Sequence, residues 1–183
     1  MTPEPELRDA LLAAVPSLRA FAISLSGQVD RADDLVQDTL LRALANIDRF
    51  ERGTNLNAWL FTILRNLFHS EYRKRRREVE DANGKYAENL KSLPEQPGHM
   101  EFAEFRKALG FLPPDQREAL ILIGASGFSY EEAAEICGCA VGTIKSRVNR
   151  ARTRLANLLH IESVNDFGPD RATRAVLSGD DVA

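Results

Sequence analysis

The sequence has little cysteine, and its two cysteines lie too close together for an ordinary disulfide. Cys137 and Cys139 are separated by one residue, whereas a disulfide scaffold needs several well-separated pairs. A zinc site is equally unsupported, because His69, His99 and His160 are scattered and no second cysteine pair exists. We therefore predict two buried turn cysteines, no bound metal and a reducing compartment.

Long apolar runs and a basic amino terminus are also missing. No stretch approaches the roughly 18 consecutive apolar residues of a membrane span. The first residues, MTPEPELRDALL, carry acids where a signal peptide carries a basic region. We expect a cytoplasmic protein with no membrane partner.

The motifs of common enzymes are absent as well. The sequence contains no glycine-rich phosphate loop, no Ser/His/Asp grouping and no pair of acids that can be placed in a pocket. We therefore expect a binding protein that is not an enzyme and uses no cofactor.

Glycine and proline are sparse, with 11 and 8 among 183 residues, and apolar residues recur mainly at helical spacing. This spacing predicts helices over Glu6–Leu25, from about Asp30 to Leu44, and over Leu56–Arg77. Pro16 lies inside the first of these and is expected to split or bend it. Further helices are predicted over Glu101–Gly110 and 115–124.

Between the two groups of helices, Asp81–Gly98 lacks any periodic pattern and contains two glycines and two prolines. This composition is typical of a flexible linker, which should let the flanking domains move with partial independence. No segment shows a convincing strand pattern, so the fold class is all-α, with two small helical domains. The predicted divisions are a first domain at 7–77, a linker at 78–100, a second domain at 101–160 and a tail at 161–183.

The net charge of −3 conceals two basic blocks. Arg65–Arg77 holds six Lys or Arg against one acid, and Val141–Leu159 holds five and no acid. The intervening Glu78–Glu104 holds seven acids and two lysines. Basic blocks on an otherwise acidic chain favour binding to the phosphates of DNA, although one such block alone could equally be a solvated helix face.

The second basic block belongs to a predicted helix-turn-helix. Ser129 and Glu132 have the spacing of a capping box, which starts a short helix at Tyr130. That helix stops at Gly138, a residue able to adopt positive φ in the turn, and a new helix opens near Val141. The small, glycine and apolar residues of this segment therefore occupy the positions at which a helix-turn-helix requires them.

The second helix of this pair has two different faces. Its apolar residues share one face at 100° per residue, whereas polar and basic residues occupy the opposite face and its flanks, as in a recognition helix in the major groove. The apolar positions are Ile144, Val148, Ala151, Leu155, Leu158 and Leu159.

The run SYEEAAEICGCAVGTIKSRVNRARTRL resembles region 4 of the extracytoplasmic-function sigma factors, and FLPPDQREALIL resembles the entry to that region. The earlier runs DDLVQDTLLRALANIDRF and NLNAWLFTILRNLFHSEYRKRRR resemble region 2 of the same family. The resemblance covers about Leu7–Leu159. The sequence of region 4 is most similar to that of the general-stress-response subgroup of alphaproteobacteria. This resemblance implies a protein that binds core RNA polymerase and directs it to promoters.

The resemblance implies three binding surfaces. Residues implied to dock on the β′ clamp helices of core polymerase are Asp34, Leu35, Val36, Gln37, Asp38 and Leu41. Those implied to open and read the −10 element are Asn55, Asn57, Trp59, Arg65, Asn66, Arg73 and Lys74. Those implied to contact the −35 element are Thr143, Lys145, Ser146, Arg147, Asn149, Arg150 and Arg154. The sequence departs from the common pattern at Ala140, which weakens the cap of the recognition helix.

The residues alone leave parts of this assignment open. The acids near Asp34 could simply favour a helix amino terminus, and Trp59 could be a core residue. The partners implied are core RNA polymerase (β′ clamp helices and β flap), promoter DNA and an anti-sigma factor. Two alternative functions are a stand-alone helix-turn-helix regulator and a sigma-like decoy that sequesters an anti-sigma factor.

Overall fold

The computed structural model describes residues 5–81 and 100–160, and within these ranges all regular elements are helical. They are α1 (Pro5–Ser26), α2 (Val29–Ala45), a short 3-10 helix (Ile47–Arg49), α3 (Leu56–Asp81), α4 (Met100–Gly110), α5 (Pro114–Gly124), α6 (Tyr130–Cys137) and α7 (Val141–Leu158). The predicted all-α class is confirmed. Most of the predicted linker, and the whole tail from residue 161, lie outside the described residues.

Helices α1, α2 and α3, together called the N-terminal bundle, pack around an apolar core. Phe21 of α1 stacks on Phe61 of α3, with ring centroids 4.9 Å apart. Leu35 of α2 is 1% exposed beside them. The hydroxyl of buried Thr39 donates to the carbonyl of Leu35 at 2.6 Å, so this polar group adds no unsatisfied donor to the core.

Helix α1 runs through Pro16 without a break, so the proline does not split the helix. Proline lacks the N–H that would donate to the carbonyl of Leu12. Both Pro16 and Leu12 are exposed, so water can bond that carbonyl and the helix tolerates the missing hydrogen bond.

By length and composition, α1 could also cross a membrane over Glu6–Ser26, which the sequence was not expected to allow. In the structure the helix packs against α2, α3 and α5, with Leu18 and Phe21 almost fully buried. A core helix of a folded domain meets the same criteria of length and composition.

Helices α4 to α7 form the C-terminal bundle. Helix α5 has proline in its first turn, where a missing N–H costs nothing, and it packs against α7. Ile144, Val148 and Leu155 of α7 are fully buried, and α4 contributes Ala108 to a smaller cluster around Leu155. The bundle therefore fixes α7 along its predicted apolar face.

The two bundles pack directly against each other, contrary to the expectation of partly independent domains. Helix α3 contacts α6, and α1 contacts α5. The ring of Phe61 meets the edge of Phe128, with centroids 4.8 Å apart and planes at 74°. Buried residues of both bundles form one continuous apolar cluster.

Candidate nucleic-acid interface

The turn before α7 has the predicted geometry. The Ser129 hydroxyl accepts the N–H of Glu132 at 3.1 Å, and the Glu132 carboxylate accepts the N–H of Ser129 at 2.9 Å. This capping box starts α6, and Gly138 ends it in the left-handed conformation, with φ of 63°. Ala140 gives α7 no side-chain cap, as its residue type predicts. Both helices of the motif are thus set by local chemistry.

Helix α7 buries one face and exposes the other. Four of the predicted apolar positions are buried, but Leu158 is 41% exposed although it belongs to the predicted apolar face. Leu158 lies in the last turn of α7, beyond Ala156, the last buried residue of the helix. Exposed residues on the opposite face and flanks are Thr143, Lys145, Asn149, Arg150 and Arg154, with Ser146 half-buried beside them.

Arg147 differs from its neighbours because its charge is used within the C-terminal bundle. Its Nε lies 3.2 Å from a carboxylate oxygen of Asp115 at the start of α5, and its side chain is 24% exposed. Lys145 lies over the ring of Tyr130, with Nζ 5.7 Å from the ring centroid, but stays exposed. Arg147 therefore holds α7 against α5.

The loop before α3 places Asn55 at the junction of the two bundles. The Asn55 side-chain oxygen accepts the N–H of Ala58 at 3.2 Å, which caps α3. The amide nitrogen of the same side chain donates to Glu132 of α6 at 2.7 Å. The hydrogen bond from the Ser129 backbone, followed by that from Asn55, lowers the pKa of the Glu132 carboxyl.

Trp59 is half-buried, and its ring lies against that of Phe50, with centroids 5.3 Å apart. Asn57, two residues earlier in α3, is exposed. The structure therefore gives Trp59 a packing contact in the N-terminal bundle and leaves part of its surface accessible.

Arg65 reaches across to the C-terminal bundle. Its Nε donates to Oε1 of Glu118 at 2.7 Å, and Nε2 of His69 lies 3.3 Å from the same oxygen. Glu118 is 1% exposed. Burial raises the pKa of the Glu118 carboxyl, but the hydrogen bond from His69 and the charge of Arg65 outweigh it and hold that pKa below its usual value. Glu118 is thus a buried carboxylate held by α3.

The remaining basic residues of α3 lie along its exposed carboxyl-terminal half. Asn66 and Arg73 are seven residues apart and share a face, and both are exposed, as is Lys74. Tyr72 is 36% exposed and stacks on Phe68, with centroids 6.3 Å apart. This surface offers cations and an aromatic edge together, as a path for single-stranded nucleic acid requires.

The exposed side of α2 carries acids beside a leucine. Leu41 is 58% exposed, and the polar residues exposed on the same helix are Asp34, Gln37 and Asp38. Leu35 and Val36 are only 1% and 6% exposed because they pack in the N-terminal bundle. Contact of these two residues with polymerase stays a prediction, and in this structure both side chains support the helix from inside the bundle.

Reasoning from the sequence missed Glu118 and His69. Glu118 lies on α5 in line with Ile121 and Leu122, at positions that mark a buried helix face. An acid on an otherwise buried helix face indicates that it needs a partner. The sequence does not show which residue that partner is, because Arg65 is 53 residues away in the chain.

Cys137 is the last residue of α6, and Cys139 lies in the turn between α6 and α7. Cys137 is buried, as predicted, and burial together with the negative charge of Glu118 raises the pKa of its thiol to about 12. Cys139 is only half-buried, and its sulfur lies 3.9 Å from Nη1 of Arg147. Neither cysteine pairs with the other.

Comparison with known families and structures agrees with this geometry. Residues 12–78 match the model "Sigma-70 region 2", and residues 102–155 match "Sigma-70, region 4". The ECF RNA polymerase sigma factor EcfG of Rhodopseudomonas palustris is 75% identical over 173 residues, which cover 94% of this chain and 96% of that protein.

Two solved structures are similar to this chain. The sigma factor RpoE of Bartonella quintana, solved with the anti-sigma factor NepR, is 59% identical with a TM-score of 0.81, and the match covers 87% of this chain and 100% of RpoE. CnrH, solved with the cytosolic domain of CnrY, is 29% identical with a TM-score of 0.60, and the match covers 86% and 88% of the two chains. The chain belongs to the extracytoplasmic-function sigma factors of the sigma-70 family.

Proposed function

We propose that this protein binds core RNA polymerase and directs it to a set of promoters, acting by binding and not by catalysis. The observation that carries the proposal is the joint presence of two surfaces of different chemistry. One is the exposed basic and polar face of α7, and the other is the acidic surface of α2 with Leu41 beside it. A regulator that only binds DNA needs the first surface but has no use for the second.

Run-off transcription with purified core polymerase tests this function. A panel of stress-gene promoters is transcribed with and without the protein, and we expect defined transcripts only when it is present. A stand-alone regulator would need another sigma factor for any transcript, and a decoy would give none. Failure on every promoter, despite binding to core polymerase, would contradict the proposal.

Within α7, we propose that Arg150 reads a base edge and Arg154 holds a phosphate. Both are exposed, and Arg150 lies on the face opposite the buried residues. Arg150→Ala should cost about 1–3 kcal/mol on a matched −35 duplex and relax specificity there, whereas Arg154→Ala should weaken matched and scrambled duplexes alike. Fluorescence anisotropy with both duplexes measures the difference. Equal losses on both duplexes for both variants would remove Arg150 from base recognition.

We further propose that the protein is cytoplasmic and that an anti-sigma factor controls it. The relative from Bartonella quintana was solved with the anti-sigma factor NepR, and CnrH was solved with the cytosolic domain of CnrY. A stress-response role is supported by the resemblance of region 4 to the general-stress-response subgroup. A partner of that kind would have to act on a chain whose two bundles already touch.

A further inference from the structure

The contact between the bundles uses residues that the proposed function needs for DNA. Asn55 and Arg65 are two of the residues proposed to engage the −10 element. Each donates a 2.7 Å hydrogen bond to a carboxylate of the C-terminal bundle, Asn55 to Glu132 and Arg65 to Glu118. A carboxylate oxygen accepts from guanidinium much as a phosphate oxygen does. In the packed chain, the hydrogen-bond donors of Asn55 and Arg65 are therefore already bonded to carboxylates of the same chain.

Glu118 is placed so that only this contact satisfies it. Its Oε1 takes both Arg65 and His69, and its Oε2 has no hydrogen-bond partner among the described residues. Both partners of Oε1 belong to α3, so within the described chain Glu118 stabilises the join between the bundles and makes no polar contact inside its own. When the bundles separate, water can solvate the carboxylate.

Such a contact favours a switch between two states. The cost of desolvating two charges offsets most of the attraction in a buried ion pair, so the pair adds little net stability. Removing one partner is much more costly, because a buried charge is then left uncompensated. Apolar packing, including the contact of Phe61 with Phe128, supplies the attraction between the bundles. The ion pair makes the packed state depend on Arg65 staying paired with Glu118, so a competing ligand for Arg65 would favour separation.

The packed arrangement is also too short to read a promoter. The −10 and −35 elements are about 25 base pairs apart by their names, or on the order of 85 Å at 3.4 Å per base pair. Compact bundles of this size are each roughly 30 Å across. Two bundles in direct contact cannot place α3 and α7 on both elements at once, so promoter binding requires the bundles to separate.

We propose that Glu118, Arg65 and His69 form an autoinhibitory latch, in which the carboxylate of Glu118 occupies the −10-binding arginine and keeps the C-terminal bundle packed over α3. Nucleic-acid phosphate competes with Glu118 for Arg65, and binding of the −10 strand opens the chain. This inference rests on the proposed function, because it assigns Arg65 to promoter DNA.

The test is Glu118→Gln in the full-length chain, which keeps the side-chain volume but removes the charge. Binding to a fluorescein-labelled single-stranded DNA of mixed sequence is measured by anisotropy. If the open state is a minor population of about 10% or less, releasing the latch should tighten binding about tenfold or more. Because Arg65 then gains a phosphate, the slope of log K against log salt should steepen by about 0.7.

Glu104→Gln is the matched control, since it removes one exposed carboxylate on α4, whose helix packs against α7. It should leave the affinity and the slope close to those of the original chain. Small-angle scattering should give a larger radius of gyration for Glu118→Gln and no change for this control. If that variant does not fold, Glu132→Gln takes its place, because glutamine also completes a capping box, and it should tighten binding in the same direction.

The latch is wrong if the variant that folds, Glu118→Gln or in its place Glu132→Gln, binds the strand with the affinity and salt slope of the original chain. That result would leave the proposed function untouched, because run-off transcription tests it separately. Conversely, a chain that opens and binds the strand but supports no transcript would retain the latch and overturn the promoter-directing role.

Discussion

Reversing the charge of Asp34 and Asp38 to lysine should abolish co-purification of this chain with core RNA polymerase. Both carboxylates are exposed on α2 beside Leu41, which is 58% exposed. An apolar side chain flanked by acids fits a partner surface that is basic and partly apolar. Because each lysine would face that basic surface with a like charge, we expect a loss of about 3 kcal/mol or more, roughly 100-fold in affinity.

The matched control is the pair Asp48→Lys and Glu51→Lys. These carboxylates are also exposed, lie just after α2 and give the same change in net charge. They should leave binding to core polymerase, measured by pull-down without DNA, close to that of the original chain. Circular dichroism should show all variants equally helical. Equal binding by the two double variants would place the docking surface elsewhere than on α2.

The helices and the helix-turn-helix could be predicted because their causes are local. The capping box of Ser129 and Glu132 and the positive φ of Gly138 depend on neighbouring residues only. The apolar spacing of α7 likewise fixed its buried face up to the last turn. The family resemblance then indicated the role of each exposed face.

The join between the bundles could not be predicted, because its partners are far apart in the chain. Asn55 and Glu132 are 77 residues apart, and Arg65 and Glu118 are 53. Each of these side chains, taken alone, is typical of a solvated helix surface. Pairing across such distances depends on how the bundles pack against each other. The composition of the linker had predicted partly independent domains instead.

The motif implied a binding role also for residues that the structure buries. Leu35 and Val36 stand inside the docking motif but pack in the N-terminal bundle. A motif records which residues occur together and does not separate those that touch a partner from those that support the helix. Arg147 differs from them, because its side chain is 24% exposed although it pairs with Asp115, and its contact with the −35 element stays a prediction.

The aromatic centre of the molecule carries the largest expected effect on stability. Phe61 is 1% exposed and contacts both Phe21 and Phe128, so it belongs to the core of its own bundle and to the join. Truncating it leaves a cavity that the packed neighbours can fill only in part. Phe61→Ala should therefore lower the free energy of unfolding by about 3–5 kcal/mol.

Urea titration at 25 °C, followed by the fluorescence of the single tryptophan, Trp59, reports on the N-terminal bundle. The control is Phe111→Ala, which removes the same ring from a site that is 63% exposed and should change the free energy by no more than about 0.5 kcal/mol. The comparison holds only if the dependence on urea stays the same in both variants. Losses of similar size at Phe61 and Phe111 would mean that Phe61 does not fill the centre of the core. The contact of Phe61 with Phe128 would then not account for the packing of the two bundles.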